Sequence, residues 1–99
     1  MKQYDIVVMA GGAGLGVILQ HDALDNLPTV AVCPFVPTSR LRKPTPGIHP
    51  VVAHQGTDYY VKVDLVAAVP WRAIDEVVGS AALHNETIIQ ALDRLFTGS

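Results

Sequence analysis

Residues 82–99 read Ala82-Leu-His-Asn-Glu-Thr-Ile-Ile-Gln-Ala-Leu-Asp-Arg-Leu-Phe96, then Thr97-Gly98-Ser99, and the rest of the chain is organised around this stretch. It is the one segment with a sustained helical period. Ile88, Ala91, Leu92, Leu95 and Phe96 fall at i, i+3, i+4, i+7 and i+8, which draws a single apolar stripe along a helix. Asn85 and Glu86 sit early and Arg94 late, the order that complements the helix dipole. Gly98 is a natural stop, because glycine enters the left-handed region without steric cost. Ser80 or Asn85 is the expected cap at the start. Everything upstream reads as short strands and turns. The expectation is one helix of about 15 residues packed on a small β-structure, with a short tail left at the surface.

Working back from the helix, Tyr4–Met9 is a β-branched run suited to a buried first strand. Ala10–Gly16 is glycine-rich, and Val17–Gln20 continues apolar. A strand entering a glycine-rich turn suggests a phosphate cradle, but the GxGxxG spacing fails, with Val17 or Leu19 where the third glycine belongs. A hairpin turn between two strands fits better. Gln20–Pro28 is a polar connection. Thr29–Phe35 is the third strand, and Pro34 is expected to end it or to put it at an edge. Five prolines between Pro34 and Pro50 predict a long extended loop. Val51–His54 and Tyr59–Asp64 flank the turn Gln55–Asp58 and make the clearest hairpin. Leu65–Val69 leads to a further strand expected at Pro70–Ile74, and Asp75–Gly79 brings the chain to the helix. About six short strands paired with their sequence neighbours predict one domain over residues 1–99, a small antiparallel barrel or folded sheet with a C-terminal helix.

The chain has 99 residues, of which 49% are hydrophobic and 16% charged. That is lean on charge for so small a body, so some apolar surface is expected to be covered by a second copy or another partner. The net charge of −2 offers no general attraction to nucleic acid. No apolar run approaches the roughly 20 residues that span a bilayer, and Met1–Asp5 does not have the form of a signal peptide. The single cysteine, Cys33, excludes an internal disulfide, fits a reducing cytosol, and lies in an apolar run that makes it a buried structural thiol.

Catalytic patterns are weak. His21, His49, His54 and His84 have no metal-ligand spacing to one another or to Cys33, and His49 and His84 read as surface or capping residues. No serine sits in a nucleophile elbow. Asp75 and Glu76 would point to opposite faces of a strand, which argues against a paired acid and base. Arg40, Arg42 and Lys43 form the one cationic cluster, placed in the long loop. They would suit a phosphate backbone, but RNA cleavage needs a general base that the sequence does not announce. The expectation is a protein with no catalytic residues, no metal and no cofactor.

Pro50-Val-Val, the hairpin Gln55–Tyr60, Val69-Pro70 leading to Ile74-Asp-Glu-Val-Val78, and Glu86–Phe96 together resemble the second half of the CcdB toxins. Leu15–Asp25, Ala31-Val-Cys-Pro-Phe35 and Ser39-Arg-Leu41 fall in step with the same family. The resemblance covers nearly the whole chain. It implies an SH3-like barrel with a C-terminal helix, a fold shared with the MazF and Kid ribonuclease toxins. It also implies a cytoplasmic homodimer built around the helix, with Ile88, Leu92, Leu95 and Phe96 at the interface. One implied partner is a cognate antitoxin with a disordered C-terminal segment. The other is DNA gyrase, a topoisomerase, bound at its dimerisation and breakage domain. Transcriptional autoregulation follows from the same likeness.

The family's gyrase poisons end in Trp-Gly-Ile directly after the helix's Phe, and these residues reach gyrase. Here the target-binding positions are Phe96, Thr97, Gly98 and Ser99, with Thr97 and Ser99 in place of the Trp and the Ile. Losing an aromatic anchor costs several kcal/mol at an interface. Three functional readings follow: a toxin that acts by binding, a MazF-like ribonuclease using Arg40, Arg42 or Lys43, and a non-toxic homologue that still binds antitoxin.

Overall fold

A computed structural model describes residues 1–98; Ser99, one of the expected target-binding positions, lies outside the described residues. Among them run seven strands, β1 (Asp5–Met9), β2 (Leu15–Ile18), β3 (Thr29–Pro37), β4 (Val51–His54), β5 (Thr57–Val61), β6 (Ala67–Pro70) and β7 (Ile74–Ser80), followed by the helix α1 (Asn85–Thr97). The strands form one antiparallel sheet in the order β4-β5-β3-β2-β1-β7, with β6 also on β3.

Turn chemistry sets the two hairpins. β1 and β2 pair with Ile6 opposite Val17 and Val8 opposite Leu15, and the glycine-rich segment is the hairpin turn, as its composition predicts. Gln55 and Gly56 join β4 to β5 with φ of 51° and 79°, the two positive values that a tight I′-type connection requires.

The sheet curls into a half-barrel. Its two edges, β4 and β7, come together where His54 Cε1 stands 2.9 Å from the place a Cβ on Gly79 would occupy. A side chain at position 79 would push this seam apart. Two irregularities in the β1–β7 register, between Ile6 and Val7 and between Val8 and Met9, sharpen the bend.

The strand period then sorts side chains to two faces. Ile6, Val17, Phe35, Val52 and Val61 point to the concave side, where α1 closes the core with Ile88 and Ala91, both about 1% exposed or less. Burying one such side chain contributes roughly 1.5–3 kcal/mol. Val7, Ile18, Val30, Val32 and Ile74 make a second cluster on the other face, covered in part by Met9, Val69 and Trp71. The Trp71 Nε1–H donates to the Leu27 carbonyl at 2.7 Å, which satisfies its polar end.

Several expectations need correction. Pro34 does not end its strand, since β3 continues to Pro37. On one flank β3 pairs with β6 through residues 29–32 and with β5 through residues 35–37. Pro34 falls in the gap between those partners, where a missing N–H is harmless, and its carbonyl accepts from Lys62 N–H at 3.0 Å. Trp71–Ala73 is a single 3-10 turn and not a strand, while Ile74–Ser80 is the strand that pairs with β1. At the helix start, Ser80 Oγ accepts from Ala82 N–H and so caps the preceding turn Ala82–His84; Asn85 is already helical. Gly98 closes the helix as expected, with φ of 74° and its N–H donating to the Arg94 carbonyl at 2.9 Å.

Candidate functional site

The expected interface stripe divides in two. Ile88 is fully enclosed in the monomer's own core and has no area left for a second chain, which corrects its assignment to a dimer interface. Leu92 and Leu95 pack partly against the same core. Phe96 is different: 72% of it is exposed, at the capped end of α1, beside the exposed Thr97 and Gly98. Ile89, seven positions earlier and so on the same side of the helix, is also exposed. An aromatic ring of that size left in water is the kind of group that a partner covers. Gly98 ends the helix in the left-handed conformation directly after Thr97, which is not part of a tail as expected but is the last helical residue, its Oγ1 donating to the Asp93 carbonyl at 2.6 Å.

The cationic loop begins with the 3-10 turn Thr38–Arg40. Arg40 lines a cleft of about 290 Å³ together with Gly14, Pro34, Pro37 and Tyr59. Tyr59 forms a flat aromatic shelf there, stacked on Phe35 with ring centroids 4.4 Å apart and 11° between planes. Arg42 and Lys43 are exposed, and among the described residues neither forms an ion pair. The cleft contains a cation and a phenol; its lining includes no carboxylate or imidazole that would act as a base.

The far end of this loop is tied down by groups that sequence spacing did not connect. His49 is not a surface residue. Its side chain is only 5% exposed, Thr45 N–H donates to its Nδ1 at 2.9 Å, and its Nε2 lies 2.8 Å from Asp64 Oδ1. Because Nδ1 accepts, Nε2 carries the proton and donates to the carboxylate. Asp64 is 15 positions away, so no local signal links the pair. His84 stands at the N-cap position of α1 without a capping bond from its side chain. Gly47 packs on Arg94, whose Nε is 2.8 Å from the place a Cβ would take. The loop and the tail-bearing helix thus meet at one contact.

Cys33 is the buried thiol its surroundings predict. It is about 1% exposed, and burial pushes its ionisation up to about 12, far from a reactive thiolate. Among the described residues no three His, Cys, Asp or Glu side chains gather as a metal site would require. No helix among them is long and apolar enough to cross a membrane.

This arrangement of half-barrel and C-terminal helix agrees with the comparison to known families, in which residues 3–98 match the family described as CcdB protein. The chain belongs to the CcdB family. A search of curated proteins returns no significant match. Among solved structures 41 chains match. One is an endoribonuclease in complex with its cognate antitoxin from a mycobacterial species. It aligns with a TM-score of 0.76 and 13% identity over 96% of this chain and 93% of that one. At that identity the likeness speaks for a shared fold. The CcdB-family scaffold here therefore matches both the family and a solved endoribonuclease in architecture, while its chemistry rests on its own side chains.

Proposed function

We propose that this CcdB-family chain is the toxin component of a type II toxin–antitoxin system, acting as a homodimer that binds its target and performs no chemistry of its own. The observation that carries this reading is Phe96, an aromatic ring exposed at the end of a helix whose stripe is otherwise buried or half-buried. An exposed ring on a rigid, glycine-capped helix end is pre-organised to enter a pocket. Family membership and the neighbour solved with its antitoxin support a cognate antitoxin as partner. The target most consistent with the family is the dimerisation and breakage domain of DNA gyrase. It would be engaged through a tail in which Thr97 replaces the large aromatic residue.

Inducible expression in hosts with and without a gyrase resistance mutation tests this. Growth arrest relieved by that mutation, and by co-expression of a cognate antitoxin, is the expected result. Arrest in both hosts would redirect the search to another target, and no arrest would make the chain a non-toxic antitoxin-binding homologue.

A ribonuclease reading is favoured by one observation, the cleft that places Arg40 beside the Tyr59 shelf. RNA cleavage by the purified protein that disappears in Arg40→Ala would establish it. Intact RNA would leave binding as the mode of action.

A further inference from the structure

We infer that the cleft between α1 and the loop segment Gly47–Pro50 binds a carboxylate carried on an extended peptide segment. Thr87, Gln90 and Arg94 lie at i, i+3 and i+7, which brings a hydroxyl, a carboxamide and a guanidinium onto one side of the helix. With Gly47, His49 and Pro50 they line a cavity of about 390 Å³. Among the described residues none of these three helix side chains is hydrogen-bonded or ion-paired within the protein.

The polar side-chain atoms of the opposite wall are already engaged. Both ring nitrogens of His49 are engaged, one by Thr45 N–H and one by Asp64, and Pro50 has no N–H. The groups left to bind a ligand are therefore mainly donors, with a fixed positive charge among them. Gly47 supplies the fit, because any side chain there would take the space that Arg94 holds against the loop. Closing the loop on the Arg94 stem limits how far its planar fork can wander.

That set of groups selects an acceptor, and a guanidinium fork matches a carboxylate in two parallel hydrogen bonds. Phosphate is less favoured. The cleft runs along the side of the helix, from Thr87 in its first turn to Arg94 in its last, so the dipole favours neither anion. Asp64 stands behind His49, and the whole chain carries −2, so a dianion meets more repulsion than a single carboxylate. Thr87 to Arg94 spans about 10 Å at 1.5 Å per residue, the reach of roughly three extended residues. A short extended stretch of polypeptide carrying one carboxylate satisfies both the charge and the length. The cleft's chemistry is the same whether or not the chain is a toxin.

The test is a titration of the full chain followed by amide and guanidinium NMR signals. The probes are a blocked Ala-Glu-Ala tripeptide, its Ala-Gln-Ala counterpart, succinate and inorganic phosphate. The glutamate peptide is expected to shift Gly47, Gln90 and Arg94 signals to saturation, and the glutamine peptide to bind at least about tenfold more weakly. Arg94→Gln should lose about tenfold or more, Arg94→Lys should fall between, and Arg72→Gln, at an exposed arginine away from the cleft, should bind as the native chain does. Equal binding of the two peptides, or an unaltered response in a folded Arg94→Gln, overturns the proposal. So does succinate or phosphate binding as tightly as the peptide, which would mark a site for bare anions.

Discussion

His49 Nε2 lies 2.8 Å from Asp64 Oδ1, and this bond ties the proline-rich loop to the 3-10 turn Val63–Leu65, which packs beneath α1. The loop that carries Arg40–Lys43 is therefore anchored to the same layer that supports the helix and its tail. Since Thr45 N–H occupies the other ring nitrogen, the imidazole is held in one orientation.

Removing that anchor should loosen the loop more than the barrel. Asp64→Ala is expected to lower stability by about 1–2 kcal/mol, the range for a hydrogen bond to a charged group whose partner stays mostly buried. Asp64→Asn should cost less, because its carbonyl oxygen still accepts. Urea unfolding measures the first effect, and faster amide exchange at Ile48 and His49 would report the local opening. Unchanged stability in Asp64→Ala would mean that the prolines alone hold the loop.

Ile88 and Phe96 lie on one helix but should behave oppositely. Ile88→Ala opens a cavity in a closed core and is expected to cost about 2–5 kcal/mol. Phe96→Ala should change stability by no more than about 0.5 kcal/mol and instead weaken self-association or target binding. Leu92→Asp and Leu95→Asp are expected to unfold the monomer, since both side chains touch the core. Urea unfolding beside sedimentation separates the two classes. A large stability loss in Phe96→Ala would place the ring's role inside the fold.

Cys33 should be inert to thiol reagents in the native state and react at the rate of unfolding, which a labelling time course with and without urea reads directly. Its ionisation is raised by burial from 9.0 to about 12, so the folded state holds the proton more tightly than the unfolded chain. The associated stability is complete below pH 9 and declines as pH rises toward 12, by up to about 1.4 kcal/mol per pH unit. Burial raises the Tyr4 phenol above its ordinary 10.0 too, which adds a loss of the same sign from about pH 10 upward. Cys33→Ala should flatten part of the alkaline slope while lowering stability at neutral pH through lost packing. An unchanged slope would assign the alkaline loss to Tyr4 and other groups.

The tail predicts weak binding to the gyrase dimerisation and breakage fragment. Thr97 offers a small part of the roughly 2–4 kcal/mol that a tryptophan gains in an apolar pocket. Thr97→Trp combined with Ser99→Ile should therefore tighten binding about 30- to 700-fold by calorimetry. Tight binding by the native chain would put recognition on surfaces other than the tail. No gain in the double variant would mean that Gly98 directs the tail elsewhere.

Local chemistry was enough to read the C-terminal helix, its Gly98 stop, the glycine-rich hairpin and the hairpin after Val51, because period, capping and turn preference are carried by neighbouring residues. The second strand of that hairpin runs Thr57–Val61 and not Tyr59–Asp64, since its turn needs only Gln55 and Gly56 and Val63–Leu65 is a 3-10 turn. The buried state of Cys33 was also legible, from the apolar run around it. Other features depended on partners distant in sequence. Pro34 stays within a strand because β5 and β6 meet on either side of it, and no local rule contains that gap. The apolar stripe of α1 reads as one surface in sequence, yet the curvature of the sheet decides that Ile88 is interior while Phe96 stands in water. His49 and Asp64, like Gly47 and Arg94, are joined only when the loop folds back on the helix. Periodicity tells which residues share a face; what lies opposite that face is settled by long-range packing.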